Sequence, residues 1–406
     1  MIARRDTRSY LWPLVFTGLG GLGLWCMRIE PAIHGVPLDF EQHVQAARLS
    51  DGSRLRTTYT GLAPVDQTLS FLVLAFADGA FGFDPAVKLQ HLHFLLNFFS
   101  LICIWNVEAY RLQNSNKSIR FPGTWAIFYQ TIAGAAVVPL YYAAWFFPSS
   151  SAASSSTTTS KSARDKESLE VPLTKAKAIL PSAIIFYLIP TLTMYLIFQN
   201  NTTTAAWTKQ GLIAYWQFSP IFVSAAIPLI SQLVSSRASR HLSTDHHLKR
   251  IYTVAFGLSA LAHFYVFFVC YTTTQSNRGA NSSNSHGDPT VAAAPPLTLY
   301  RVFVPDRTLW RESLTGGLHY IFQCDWWVIY AASLLWSCVV ATDVQCNAAN
   351  KTHGQKDRSS EARLLAANLV KIVGLAALFG PGAALAAVWW WKEEAERDSM
   401  LRLRTT

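Results

Sequence analysis

Two acids sit where lipid is expected. Glu108 closes the apolar run "LHFLLNFFSLICIWNVEAYR", and Asp325 lies inside "GGLHYIFQCDWWVIYAASLLW". A carboxyl in hydrocarbon costs on the order of a few kcal/mol, so such a residue faces a bundle interior or a cavity and marks a site. One held in an apolar pocket keeps its proton, because desolvation disfavours the anion, and a protonated carboxyl is a general acid. Aromatic residues crowd both acids: Trp105 beside Glu108, and Trp326, Trp327 and Tyr330 beside Asp325. Their π faces can stabilise a passing cation. Acid, aromatic lining and a lipid-embedded pocket together suit protonation of an epoxide or alkene on an isoprenoid chain. The resulting cation would be captured by an internal hydroxyl or alkene.

Helical spacing places further polar groups. At 100° per residue, Gln90, His93, Asn97 and Glu108 share one face, with Arg111 close to the same line. Glu108 and Arg111, three apart near a helix end, could instead form an ion pair that reaches water. Asp325 lies about 12–15 Å from the start of its helix, too deep for so short a side chain to do the same. His319, Gln323 and Tyr330 share a different face of that helix. A third acid, Asp66 in "TGLAPVDQ", falls at similar depth, or else anchors a helix N-terminus through the dipole. His263 in "ALAHFYVFF" is near mid-membrane, as a substrate contact or as a satisfied core histidine. The candidate catalytic set is therefore Glu108, Asp325 and Asp66. Trp105, Asn97, His319, Gln323, Trp326, Trp327, Tyr330 and His263 are the candidate substrate contacts.

These residues need a scaffold, and composition defines it. Of 406 residues, 51% are hydrophobic and only 14% charged; soluble domains carry about a quarter charged. Apolar runs of about twenty residues, each able to cross roughly 30 Å of hydrocarbon, predict an all-α, polytopic transmembrane helix bundle. About nine spans (eight to ten) are expected, at 10–27, 62–82, 89–110, 122–147, 177–199, 211–234, 250–271, 315–341 and 364–391. Pro190, Pro220 and Pro228 should kink or break their helices. The chain reads as one transmembrane domain over 1–406, with a serine-rich cytosolic linker at 148–174 and a long lumenal loop at 272–313. Lys and Arg near the helix ends put the N-terminus in the cytosol, together with the loops at 148–176, 235–249 and 342–363. The basic C-terminal tail disagrees, because nine crossings carry it to the other side. In this topology Glu108, Asp325 and Asp66 all lie toward the lumenal leaflet, where two of them could meet in one chamber.

Several classes are excluded. The formal charge of +10 is dispersed in short loops, as helix orientation requires, and forms no single nucleic-acid surface. No aspartate-rich pair for magnesium diphosphate, no desaturase-type histidine cluster and no Gly-rich nucleotide loop is present, so neither a metal nor a cofactor is expected. The six cysteines lack the spacing of a disulfide framework or zinc site. The expected partners are membrane lipid and a lipophilic prenylated small molecule.

The stretches "TGLAPVDQTLSFLV", "LLNFFSLICIWNVEAYR" and "FPGTWAIFYQTIAGAAVVPLYY", with the region around Asp325, give the chain a further property. It resembles the fungal integral-membrane terpene cyclases of meroterpenoid pathways, closest to the longer ascofuranone-type group. That resemblance implies metal-independent cyclisation of an epoxidised farnesyl-aromatic substrate at the endoplasmic reticulum, with intramembrane acids as proton donor. It carries the acidic-pair role to Glu108 and Asp325. The extra helices, the serine-rich linker and the long loop depart from the compact seven-helix pattern. Two other readings stay open: a proton-coupled exporter of a lipophilic metabolite, and a membrane acyltransferase with His263 or His319 as base.

Overall fold

The computed structural model describes residues 8–147, 170–196, 202–234, 244–283, 296–353 and 358–405, and among these the only β feature is an isolated Arg48–Arg54 bridge. The serine-rich linker lies almost wholly outside the described residues. Among the described residues six helices are long and apolar enough to cross a membrane. They are α1 (Tyr10–Ile33), α4 (Pro85–Ala109), α7 (Leu173–Leu196), α10 (Thr244–Ser283), α12 (Leu314–His353) and α13 (Arg358–Phe379). A bent pair, α8 (Thr203–Trp216) with α9 (Ser219–Leu233), is long and apolar enough only when taken together, with a 62° bend where Pro220 enters the first turn of α9. The remaining helices are α2 (Phe40–Gln45), α3 (Ala63–Phe81), α5 (Pro122–Thr131), α6 (Gly134–Phe146), α11 (Leu299–Phe303) and α14 (Pro381–Thr405).

The hub is α4, whose apolar window is wholly buried by its neighbours. Asp84 caps its first turn by accepting from the Ala86 and Val87 amides, and Pro85 occupies the position where no amide is needed. Contacts along α4 fix the direction of every neighbour. Gln90 donates to the Phe322 carbonyl, and the Tyr330 hydroxyl donates to that of Phe94. Further along, Trp105 packs edge-on to Tyr142, which stacks on Trp336. Numbers rise together, so α4 and α12 are parallel. Helix α14 is parallel too, with Gly382 at Asn97 and Trp389 at Glu108. Helix α10 is antiparallel, pairing His263 with His93 and Ser259 with Ser100.

Three of the nine expected spans are not single crossings. Helix α3 carries Asp66 and Asp78, and both are held by one connecting segment: Asp66 accepts from Tyr59, Thr60 and Gly61, and Asp78 from Ser50. The end of α1 and the start of α4 both lie beside the start of α12, with Glu30 at Tyr320 and Gln90 at Phe322, so the stretch between them, α3 included, leaves and returns to one side. The run 122–147 breaks between α5 and α6, and Lys117, just before α5, donates to the carbonyl of Trp145 near the end of α6. The two short helices form a re-entrant hairpin. The run 364–391 breaks at Gly380, whose φ of +92° suits glycine alone. Helix α13 runs antiparallel to α12, with Leu365 at Cys338 and, further on, Ala377 at His263, which His93 joins to the level of Trp326, and α14 turns back along α4.

These breaks reverse α4 relative to the expected topology and bring the C-terminal tail to the side of the N-terminus. The expected loop at 272–313 is also partly helical, since α10 continues to Ser283. Past the residues that are not described, Leu297 and Val302 pack on Ala86, Leu89, Val266 and Cys270.

Candidate active site

The reversal of α4 separates the two acids. Trp326 donates to His93, so Asp325 stands level with the first third of α4. Glu108 is fifteen residues further along, about 22 Å away at the α-helical rise. The expected shared chamber is overturned, because a membrane helix that changes direction carries its end groups to the opposite leaflet.

Glu108 is fully buried in a ring of donors. Its Oε1 accepts from Trp389 Nε1 at 2.9 Å, Arg111 Nε at 3.0 Å and Lys392 Nζ at 3.3 Å, and Oε2 accepts from Asn114 Nδ2 at 3.2 Å. Arg111 also pairs with Glu393, which the Tyr252 hydroxyl joins at 3.0 Å. The ion pair with Arg111 that the sequence allowed is present, and it is deep inside rather than at water. A cavity of about 310 Å³ adjoins Lys392, with Asp343, Asn347 and Glu396 beside Trp145, Val340 and Val344 in its wall.

Asp325 has different surroundings. It lines a cavity of about 110 Å³ walled by Phe40, Phe71, Phe76, Tyr129 and Phe322, with Arg28 at one edge. The Asp325 Oδ1 accepts from the Ala135 amide at 2.5 Å, in the first turn of α6. Arg28 donates to the Ile132 carbonyl at 2.6 Å, across the break from that turn. Leu318, Ile321, Phe322 and Asp325 share the cavity face of α12. An acid in an apolar cavity with ring faces around it is equipped to protonate a substrate and shelter a cation.

The other expected residues serve elsewhere. Hydrogen bonds hold Asp66 at the start of α3, where the Thr60 amide, the Thr60 hydroxyl and the Tyr59 and Gly61 amides keep its carboxyl below the usual carboxylate range. That is the helix-anchoring alternative, away from the cavity. Asn97 accepts from the Gly382 amide at 2.9 Å and donates to the His93 carbonyl at 2.9 Å, tying α14 to α4. His263 belongs to a relay. The Trp326 indole N–H donates to His93 Nδ1, which leaves His93 Nε2–H to donate to His263 Nδ1 at 3.1 Å, and His263 Nε2 then donates to the Ala377 carbonyl. An indole can only donate, so this order fixes both neutral tautomers. The lone pair a base would need is already used.

Gln323 donates to the Arg301 and Val302 carbonyls and Trp327 to that of Phe303, so both fasten α11. Trp327 is half exposed on the outer face, and Tyr330 is bonded to Phe94. Trp105 stacks on Tyr141 at 3.7 Å in the aromatic layer beside Glu108. His319 is buried with Nε2 unpartnered, on another face of α12 from Asp325. Of the expected set, only Asp325 lines the apolar cavity. The residues missed include Arg28, Phe40, Phe71, Phe76, Tyr129, Gln130, Phe322 and the turn Ala133–Ala135. The small-residue run "IAGAA" within a supposed span was the one local signal.

Comparison with known proteins gives a consistent picture. The family model described as the CtvD domain matches residues 22–402. The terpene cyclase ctvD of Aspergillus terreus is 25% identical over 342 residues, covering 84% of this chain and 85% of that protein. Terpene cyclase DEP1 of Fusarium langsethiae is 23% identical over 384 residues, 90% of this chain and 94% of that one. Terpene cyclase DEP1 of Alternaria brassicicola is 22% identical over 335 residues, 79% and 83% of the two chains. No solved structure matches.

Proposed function

Since the chain belongs to the CtvD-domain family, we propose that it is a membrane-embedded terpene cyclase whose initiating acid is Asp325. The relatives named as terpene cyclases support the reaction class. The observation that carries the choice of residue is the cavity, in which a mainly apolar and aromatic wall, with Arg28 and Gln130 in it, holds one carboxyl. The substrate class we favour is an aromatic compound bearing an epoxidised prenyl chain. Asp325 gives its proton to the epoxide oxygen, the C–O bond opens, and an internal hydroxyl or alkene closes on the cationic carbon. The proton shed by the newly formed ring or alkene returns to the Asp325 carboxylate. No atom is gained or lost, so product and substrate are isomers. The faces of Phe71, Phe76, Tyr129 and Phe322 shield the cation meanwhile.

The cavity holds only one end of such a molecule, because sites for whole ligands run to roughly 300–1,000 Å³. The rest of the chain would lie toward lipid, which a membrane enzyme can use as the antechamber for an oily substrate. We place the tail-bearing end of the bundle in the cytosol, supported by the Lys and Arg of the linkers and the C-terminal tail, and the protein in the endoplasmic reticulum membrane. In this reading the reaction is metal-independent.

The test is turnover of an epoxyfarnesyl phenol by purified protein, with and without a chelator. Asp325→Asn should abolish cyclisation while the protein still folds, and the chelator should change nothing. Normal turnover by that variant would remove Asp325 from the mechanism.

A further inference from the structure

We infer that the break between α5 and α6 is the device that decides which oxygen of Asp325 carries the proton and where it points, with Gly134, the Ala135 amide and Arg28 as positioning groups. This rests on the reading of Asp325 as the acid.

The argument begins with unpaired backbone. Ala133 is extended, and its side chain offers no cap, so α6 starts with buried amides and α5 ends, at the outer face, with carbonyls that the helix bonds do not meet. Such groups cost several kcal/mol each when unmet in hydrocarbon. Here Asp325 meets the amide side through Ala135, and Arg28 meets the carbonyl side through Ile132. The carboxyl can lie against this turn only because residue 134 is glycine. A Cβ there would stand 2.8 Å from Asp325 Oδ1, 3.1 Å from Oδ2 and 2.8 Å from Ile329 Cδ1.

An oxygen that accepts from an amide cannot also present a proton in that direction. Oδ1 is thus the carbonyl oxygen of the neutral acid, and the proton sits on Oδ2. Among the described residues Oδ2 has no hydrogen-bond partner, and the side chain lines the cavity. When the Oδ2–H bond breaks and the proton passes to substrate oxygen, the anion left behind already faces the positive end of α6 and the Arg28 charge. Pairing a broken helix with a charged ligand group is a recurring use of half-helix ends in membranes. The break therefore acts on both sides of the proton transfer: it aims the acid and receives its conjugate base.

Two readouts test this on the full-length protein in detergent. The first is the infrared C=O band of a protonated carboxyl, assigned as the band that Asp325→Asn removes. Gly134→Ala should move it to higher frequency, because the displaced carboxyl loses the Ala135 hydrogen bond. The atoms a new methyl meets are the tips of two side chains, so the variant should fold by moving the carboxyl. The second readout is turnover of an epoxyfarnesyl phenol. Gly134→Ala should lower kcat by about tenfold or more with KM within about twofold, the pattern of an interaction used in the transition state. Arg28→Lys should keep most of the activity that Arg28→Gln loses.

An unmoved band in Gly134→Ala overturns the proposal, as does the absence of any band removed by Asp325→Asn. Should the glycine variant not fold, equal kcat for wild type, Arg28→Lys and Arg28→Gln overturns it instead. If Asp325→Asn turns over normally while the band still shifts in Gly134→Ala, the positioning stands and the catalytic reading fails.

Discussion

Two buried carboxyls in one chain have opposite surroundings, and their variants should part accordingly. Glu108 accepts from four side chains, two of them cations. Glu108→Gln leaves Arg111 and Lys392 facing each other without that charge, and breaking a buried pair in this way costs about 3–5 kcal/mol. We expect a large fall in the thermal midpoint, with activity lost in proportion to folded protein. A variant as stable as wild type but inactive would return Glu108 to the chemistry. Asp66 offers a third case. Its folded carboxyl is held below the usual range by the Thr60 amide and its neighbours. Its contribution to stability is therefore full above the unfolded aspartate value of about 3.9 and is lost as pH falls through the lower folded value. Thermal midpoints of wild type and Asp66→Asn should differ most at neutral pH and converge toward acid. A constant gap across that range would refute the assignment.

At the scale of elements, the hairpin of α5 and α6 leans on α1, and glycines set how closely. A Cβ on Gly20 would stand 2.8 Å from the Ala136 carbonyl, and one on Gly23 would overlap that of Ala135, whereas Gly18 and Gly21 face open space. This small-residue face lets backbones touch, as membrane helices often require. It also brings Arg28, just beyond Gly23, to the Ile132 carbonyl. Gly23→Ala should destabilise by about 1–3 kcal/mol, in the range of overpacked interiors, and lower activity as well. Gly21→Ala should do neither. Equal effects on thermal midpoint at the two positions would show that α1 does not dock in this register.

For the whole molecule, the arrangement of breaks has a simple external consequence. With α3 returning to its own side, α5 and α6 re-entrant, and α13 followed by α14, both tails emerge at the same end of the bundle. Epitope tags at the two termini should share protection from protease in sealed microsomes, and tags on opposite sides would refute this topology.

What the sequence determined by itself was the kind of molecule: an all-helical membrane bundle, with buried acids among aromatics at Glu108 and Asp325. Apolar run length and the cost of burying a carboxyl are local quantities, summed residue by residue, so they could be read from the chain. It also supplied the pairing of Glu108 with Arg111, although as a pair reaching water where the structure buries it, and a place for Asp66 at a helix start, where amides of the preceding segment hold it. Where a run breaks is not local. The turn at Ala133 is held open by Arg28, 104 residues before its partner Ile132, and by Asp325, 190 residues beyond Ala135. Hydropathy counts such a run as one crossing because it cannot see who will satisfy the freed amides and carbonyls. Only the tertiary structure decided that, and with it the direction of α4, the parting of Glu108 from Asp325, and the aromatic walls that surround the acid left in the apolar cavity.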